Sequence, residues 1–168
     1  VEVEGTFVPE HAVFLDNKVY RGVAGYHVVT PLRIGPGPMH VLVDRGWVAA
    51  GASRAEAPAV VTPPGQVRIE GIAVLPPRRI MELSTRTVEG RVWENLVLDR
   101  YRAAHPISIQ PVVLEQRNDL GDGLVRDWPR PTSGAGMHLA RAATWYLLAV
   151  VAAAYFLAVS LRRVNADA

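Results

Sequence analysis

Three side chains with different binding chemistry lie close together near the start of the last apolar stretch of the chain. They are His138, Arg141 and Trp145, and at about 3.6 residues per turn this spacing places them on one face of a helix. A neutral imidazole nitrogen can ligate a metal, a guanidinium group pairs with carboxylates, and an indole ring presents a flat apolar surface. Such a set suits an amphipathic ligand that combines a metal, a flat apolar body and carboxylate tails.

A haem combines those groups, so one interpretation of the three residues is a haem-binding face. A second interpretation needs no ligand. In it, His138 and Arg141 extend toward lipid headgroups, while Trp145 and Tyr146 belong to the aromatic belt at a membrane surface. The composition of the segment leaves both interpretations open.

The segment that carries these residues, 137–163, is predicted to be a transmembrane helix. Residues 142–161 contain no charged side chain, and about 20 apolar residues suffice to cross a bilayer. A buried core helix is the alternative, but few globular cores accept a helix that is apolar on every face. Arg162 and Arg163 follow directly, and positive residues stay on the cytoplasmic side. Residues 164–168 are therefore predicted to be a cytoplasmic tail, with the preceding domain on the periplasmic or intermembrane-space side.

The remainder of the chain, residues 1–136, is predicted to be a mainly β domain. Residues 1–8 and 66–75 alternate apolar and polar side chains, and residues 40–50 form an apolar strand pattern. Turn signals separate these segments, and one short helix is expected within 96–105. No crossover helices separate the strands, so we predict a small antiparallel β-barrel or sandwich rather than parallel βαβ units.

Several function classes are not supported by the sequence. The chain has no cysteine, which excludes disulfides, thiol catalysis and thiolate metal sites. It lacks the short motifs typical of hydrolases, nucleotide-binding proteins and zinc proteases, so we do not expect an enzyme. The net charge of +2 arises around the apolar segment, which does not predict nucleic-acid binding. The other histidines show no metal-ligand spacing and predict no metal site: His11, His27, His40 and His105.

Two further positions carry structural predictions. Asp44 and Arg45 are adjacent in a predicted strand, so their side chains are expected to lie on opposite faces and make separate contacts. Trp128 precedes the apolar segment and is interpreted as an anchor at the membrane interface rather than as a ligand platform.

Several stretches of the sequence resemble one family of known proteins. GYHVVTPL (25–32), VLVDRGWV (41–48) and HLARAATWY (138–146) resemble the surfeit locus protein one family of cytochrome c oxidase assembly factors. VWENLVLDRY (92–101) and GLVRDWPRP (123–131) are similar to bacterial members. The resemblance covers nearly the whole chain, and the motifs occur in the same order.

The resemblance implies a non-enzymatic protein of the inner (cell) membrane that helps to deliver haem a to subunit I of cytochrome c oxidase. Its implied partners are subunit I, haem a synthase and membrane lipid. The family's second span opens with a histidine implicated in haem binding, which falls on His138, whereas Arg141 stands where the family has an aromatic residue. The chain starts at Val1 without a hydrophobic segment, so the family's first span is expected upstream.

Under this interpretation Arg141 would hold a haem propionate and Trp145 would pack beside the macrocycle. The domain is expected to dock its partners through sheet edges and through the loop 51–66. The alternative within the same family is a protein-binding scaffold that stabilises an oxidase assembly intermediate without contacting haem.

Overall fold

The computed structural model describes residues 1–51, 57–76, 88–128 and 135–166. The chain divides into two compact units, Val1–Trp128 and Pro129–Ala168. The first unit is a β domain and the second contains a long helix.

The described part of the chain contains eight strands, two α-helices and a 3-10 helix at Pro9–His11. The strands and α-helices are β1 (Glu2–Phe7), β2 (Val13–Tyr20), β3 (Val23–Ile34), β4 (Met39–Ala49), β5 (Gln66–Val74), β6 (Val88–Glu89), β7 (Val92–Trp93), α1 (Leu98–Ala104), β8 (Ser108–Gln116) and α2 (Ala135–Ala166). The mainly β prediction is confirmed, and the strands predicted at 1–8, 40–50 and 66–75 correspond to β1, β4 and β5. The short helix expected within 96–105 is α1.

The strands pair in the order β1-β5-β8-β4-β3-β2-β7-β6, and β1 also pairs with β3. Five strands, β1, β5, β8, β4 and β3, therefore form a closed ring, while β2, β7 and β6 extend the sheet beyond it. This closed ring agrees with the predicted barrel-like domain. Closure also leaves fewer strand edges without a hydrogen-bonding partner.

The prediction of an entirely antiparallel sheet is wrong for two strand pairs. β4 and β8 are parallel, and so are β2 and β7. Parallel neighbours need a crossover connection of roughly a dozen residues or more. The chain between β4 and β8 is far longer than that, and it includes β5, β6, β7 and α1. Short strands and a single helix together supply the crossover, so no regular βαβ pattern is visible in the sequence.

The sheet is buried on both faces along β4, as its apolar sequence predicts. Val41 and Val43 pack in a cluster with Phe7, Leu32, Ile69 and Leu114. The intervening Leu42 belongs to a second cluster on the opposite face, with Val13, Val29, Trp93 and Tyr101. Tyr101 is the buried residue of α1, so this short helix covers the second cluster.

The second unit contains the helix predicted at 137–163, which the structure extends over Ala135–Ala166. No helix within the part of the chain that the structure describes is both long and apolar enough to cross a membrane. The predicted helix is thus confirmed, whereas the predicted span is not found among the described residues. The end of the predicted domain, at 129–134, and the last two residues of the predicted tail lie outside the described residues.

Candidate functional site

The three residues predicted to bind a ligand lie on successive turns of α2. His138, Arg141 and Trp145 all fall within Ala135–Ala166, so the helix brings their backbone positions onto one face. The Arg141 side chain is exposed, and Trp145 is 72% exposed. The side chain of His138 lies outside the described residues. Arg141 and Trp145 are therefore accessible, one helical turn apart, for a carboxylate and an apolar surface respectively.

In the β domain, the motifs that carry the family resemblance come together in space. The ring of His27, from β3, forms a hydrogen bond through Nδ1 with Asp44 Oδ2 of β4 at 2.9 Å. Arg45, the next residue on β4, extends to the opposite face and contacts Asp122. The prediction that Asp44 and Arg45 make separate contacts is confirmed.

Arg45 is the largest fully buried side chain among the residues of the domain that the structure describes. Its Nη1 donates to Thr62 Oγ1 at 3.0 Å, and its Nη2 donates to the Val61 carbonyl at 2.7 Å. The same Nη2 donates to Asp122 Oδ2 at 2.8 Å. The guanidinium carbon also lies 4.9 Å from the centre of the Phe7 ring, within cation–π distance. Arg45 thereby connects β4, β1 and two loops that are distant in sequence.

The Asp122 carboxylate also accepts a hydrogen bond from a second arginine, Arg126, so Asp122 lies at the centre of a small ion network. Arg126 Nη2 donates to Asp122 Oδ1 at 2.5 Å, and Arg126 Nη1 donates to Asp119 Oδ1 at 2.9 Å. Burial alone would raise the pKa of Asp122, but the hydrogen bonds from Arg45 and Arg126 outweigh it, so the pKa is lowered. Burial lowers the pKa of Arg45, and Asp122 opposes this shift. An arginine starts from so high a pKa that it remains charged, and the network is a true ion pair at neutral pH.

The backbone conformation and close packing at the third position of the Asp-Arg-Gly-Trp motif require glycine. Gly46 has φ +126, and a Cβ atom there would lie 2.5 Å from the Val125 carbonyl oxygen. The close approach allows Trp47 and Val125 to exchange two backbone hydrogen bonds, with N···O distances of 2.8 and 2.9 Å. The motif therefore attaches the segment that follows β8 to β4.

Trp128 closes the same cluster, and its interpretation as a membrane anchor is wrong. The residue is only 7% exposed within the β domain. Its Nε1 donates to the Gln116 carbonyl at 2.7 Å, and its ring meets the His27 ring edge-on at 5.2 Å. The sequence around Trp128 shows an aromatic residue near the apolar segment, which does not distinguish an anchor from a core residue.

A second cluster, which the sequence did not predict, surrounds His11 and His105. Their Nδ1 atoms are 3.2 Å apart although the residues are separated by 94 positions. Tyr101 donates its hydroxyl to the His11 carbonyl at 2.6 Å, and the Trp93 ring stacks on His105. Burial lowers the pKa of His105, and the neighbouring His11 and Arg91 lower it further. Within the described ranges, no three potential ligands are grouped to hold a metal ion.

The comparison with known proteins gives a family match over most of the chain. The SURF1 family model matches residues 1–150, which include the β domain and the start of α2. No curated protein matches the sequence. Members of the matched family are generally known as cytochrome oxidase assembly factors. On the basis of this match, the chain belongs to the SURF1 family, the surfeit locus protein 1 family.

Proposed function

We propose that this protein is a membrane-anchored assembly factor that helps to deliver haem a to subunit I of cytochrome c oxidase. The observation that carries the proposal is the family match, because it covers both the β domain and the residues that open α2. The protein would act by binding and positioning, not as an enzyme. Its partners would be oxidase subunit I, haem a synthase and membrane lipid.

The residues at the start of α2 suit a haem in type, and the side chains of Arg141 and Trp145, which the structure describes, are accessible. His138 offers an imidazole, Arg141 an exposed cation, and Trp145 an exposed ring one turn further along. A bound haem would supply an iron that an imidazole nitrogen can ligate. In this proposal His138 holds the iron, Arg141 pairs with a propionate, and Trp145 covers part of the apolar macrocycle. A single weak protein ligand would suit a carrier, because the cargo must leave.

Membrane anchoring is proposed from the character of α2. The run 142–161 has no charged side chain and is followed by Arg162 and Arg163. Large apolar side chains that the structure describes along α2 are exposed, among them Leu147, Val150 and Phe156. A row of exposed apolar side chains is unfavourable in water and favourable in lipid. The arginines would stay in the cytoplasm, with the β domain on the periplasmic side of the inner (cell) membrane.

An absorbance titration tests the haem proposal. The protein, in its full natural length, is purified in detergent and titrated with haem. We expect a Soret band that shifts on binding, and loss of that shift in His138→Ala. Leu139→Ala is the matched control, since it truncates the neighbouring exposed side chain and should bind normally. Equal binding by His138→Ala and the wild type would remove His138 as the ligand.

The neighbouring aromatic residue has its own control. Trp145 and Tyr155 are both 72% exposed on the same helix. If Trp145 packs beside the macrocycle, Trp145→Ala weakens haem binding and Tyr155→Ala does not. If Trp145→Ala and Tyr155→Ala weaken haem binding equally, the loss would instead come from contacts of these side chains with detergent or lipid.

A haem-independent scaffold is the second candidate function. Two observations favour it: the apolar side chains of Val19 and Val23 are exposed beside the β2–β3 turn, and β6 has only β7 as a partner among the described strands. Such features suit protein contacts. If this candidate holds, oxidase subunits co-purify with His138→Ala as they do with the wild type, and oxidase activity is unchanged. Loss of oxidase activity in His138→Ala despite normal co-purification would favour the haem carrier.

A further inference from the structure

The hairpin formed by β2 and β3 ends in apolar side chains on both of its sides. Val19 pairs with Ala24, and Tyr20 pairs with Val23. Paired residues lie on the same side of a sheet and successive residues alternate, so each side carries one of these pairs. Val19 is 69% exposed and Val23 is 51% exposed, Ala24 is exposed and Tyr20 is half-buried. Residues 18–24, called the hairpin tip, are therefore accessible and apolar on either side.

The turn at the end of the hairpin tip contains an arginine in an unfavourable backbone conformation. Arg21 has φ 48 and Gly22 has φ 82. Two positive φ angles in a two-residue hairpin turn are typical of type I′, whose first position favours Asn, Asp or Gly. The Arg21 side chain is exposed, and its guanidinium lies over the Tyr20 ring, 5.2 Å from the ring centre. The turn therefore presents a cation to solvent at a position where asparagine would fit the backbone better.

The hairpin tip carries positive charge without a compensating carboxylate in its own sequence. Residues 17–25 include Lys18 and Arg21 and no Asp or Glu, and residues 46–51 at the adjoining end of β4 include none either. Asp16 comes before the tip, and its Oδ1 accepts a hydrogen bond from the Asn17 amide. An anionic surface complements such a charge distribution.

Trp47 of β4 holds the hairpin tip in place. Its Nε1 donates to the Lys18 carbonyl at 3.0 Å, and its ring centre lies 5.4 Å from that of Tyr20. Gly25 makes room for this ring, because a Cβ atom there would lie 2.5 Å from Trp47 Cε2. Tyrosine and tryptophan are favoured where an apolar environment meets water. The tip thus combines exposed valines with two aromatic rings and two cations.

We propose that the hairpin tip inserts into the headgroup region of an anionic lipid bilayer. Val19 and Val23 enter the boundary with the acyl chains, while Lys18 and Arg21 contact lipid phosphates. Lipid can surround a tip that is apolar on both sides, whereas a protein partner would need a larger surface, since stable interfaces involve about 20–30 residues on each side. The inference rests on the membrane anchoring proposed above.

A single fluorescent label tests the insertion. The chain contains no cysteine, so Val19→Cys accepts a polarity-sensitive fluorophore at one position. Leu75→Cys is the control, because Leu75 is 79% exposed and follows β5, which does not pair with β2 or β3. The labelled full chain is reconstituted into vesicles of phosphatidylglycerol and phosphatidylcholine, isolated by flotation. We expect the Val19 label to emit at shorter wavelength and to be quenched by nitroxide-bearing lipid, unlike the Leu75 label.

The outcomes separate this inference from the membrane anchoring itself. Failure of the chain to float with the vesicles would overturn the anchoring and this inference with it. A chain that floats while its Val19 label remains unquenched would overturn the inference alone. Equal quenching of the Val19 and Leu75 labels would overturn it as well, as would a shift to shorter wavelength without quenching, which would indicate a protein contact or a second copy of the chain.

Arg21→Asn tests the role of the charge without damaging the turn. Asparagine suits the first position of a type I′ turn, so the variant should be at least as stable as the wild type. The ratio of lipid-inserted to water-exposed Val19 label should nevertheless fall about fivefold, because one basic group near the anionic surface is lost. Arg33→Gln removes an exposed charge near the other end of β3 and should leave the ratio unchanged. An unchanged ratio in Arg21→Asn, or equal losses in both variants, would refute the assigned lipid contact.

Discussion

Replacing Asp122 by asparagine should destabilise the β domain far more than the same change at the exposed Asp119. The side chains of Asp122 and Arg45 are 0% and 1% exposed, and Arg126 also donates to this carboxylate. Asp122→Asn keeps the size of the side chain but leaves the Arg45 charge buried without a counter-charge. Breaking a buried pair in this way costs about 3–5 kcal/mol. That is a large share of the roughly 5–15 kcal/mol that stabilises a typical domain.

Asp119 provides a matched control. It accepts a hydrogen bond from the same Arg126, yet its side chain is 79% exposed. Asp119→Asn is therefore expected to cost at most about 1 kcal/mol, as exposed ion pairs do. The measurement is urea unfolding of the two variants and the wild type, followed by the fluorescence of Trp47, Trp93 and Trp128 in the β domain. Similar small losses in both variants would refute the assigned role of the buried network.

The same variant should change the pH dependence of stability. Because the folded-state pKa of Asp122 lies below its unfolded value, its ionisation stabilises the fold above about pH 4, the unfolded value for an aspartate. This stabilisation is lost as the pH falls through the lower folded pKa. The stability difference between wild type and Asp122→Asn should therefore shrink between pH 7 and pH 3. A difference that stays constant over this range would contradict the ion-pair account.

Three further substitutions or conditions test other parts of the fold. Gly46→Ala should lower the free energy of unfolding by about 2 kcal/mol or more, because φ at this position is +126 and the new Cβ meets the Val125 carbonyl oxygen. Gly51→Ala is the control and should cost far less, because a Cβ atom there has no neighbouring atom within 4 Å. Burial and neighbouring positive groups lower the pKa of His105 in the folded protein. Below about pH 6.5 the unfolded histidine therefore takes up its proton first, and the melting temperature should fall as the pH drops. A melting temperature that rises over that interval would contradict this. Trp128→Phe loses a buried hydrogen bond and should cost about 1–3 kcal/mol, while Trp145→Phe on the exposed helix face should leave stability unchanged.

The sequence alone determined the class of the domain and the elements with strong local patterns. Alternation of apolar and polar residues identified β1 and β5, and the apolar run at 40–50 identified β4, because each pattern depends only on neighbours in the chain. The helix at the end of the chain was equally clear, as was the family resemblance. These features need no information about which distant residues meet.

Strand order, parallel pairing and the contacts of the motifs were decided only by the tertiary structure. The crossover that makes β4 and β8 parallel has no regular pattern, and the partners of Arg45 lie 16 to 77 positions away. Arg45 was predicted to make contacts separate from those of Asp44, but nothing in the sequence associates it with Asp122, since single charged residues in loops are common. The same applies to His11 and His105, which meet across 94 positions. Such pairs form because chain closure brings distant segments into one low-dielectric interior, where each buried charge or donor must find a partner.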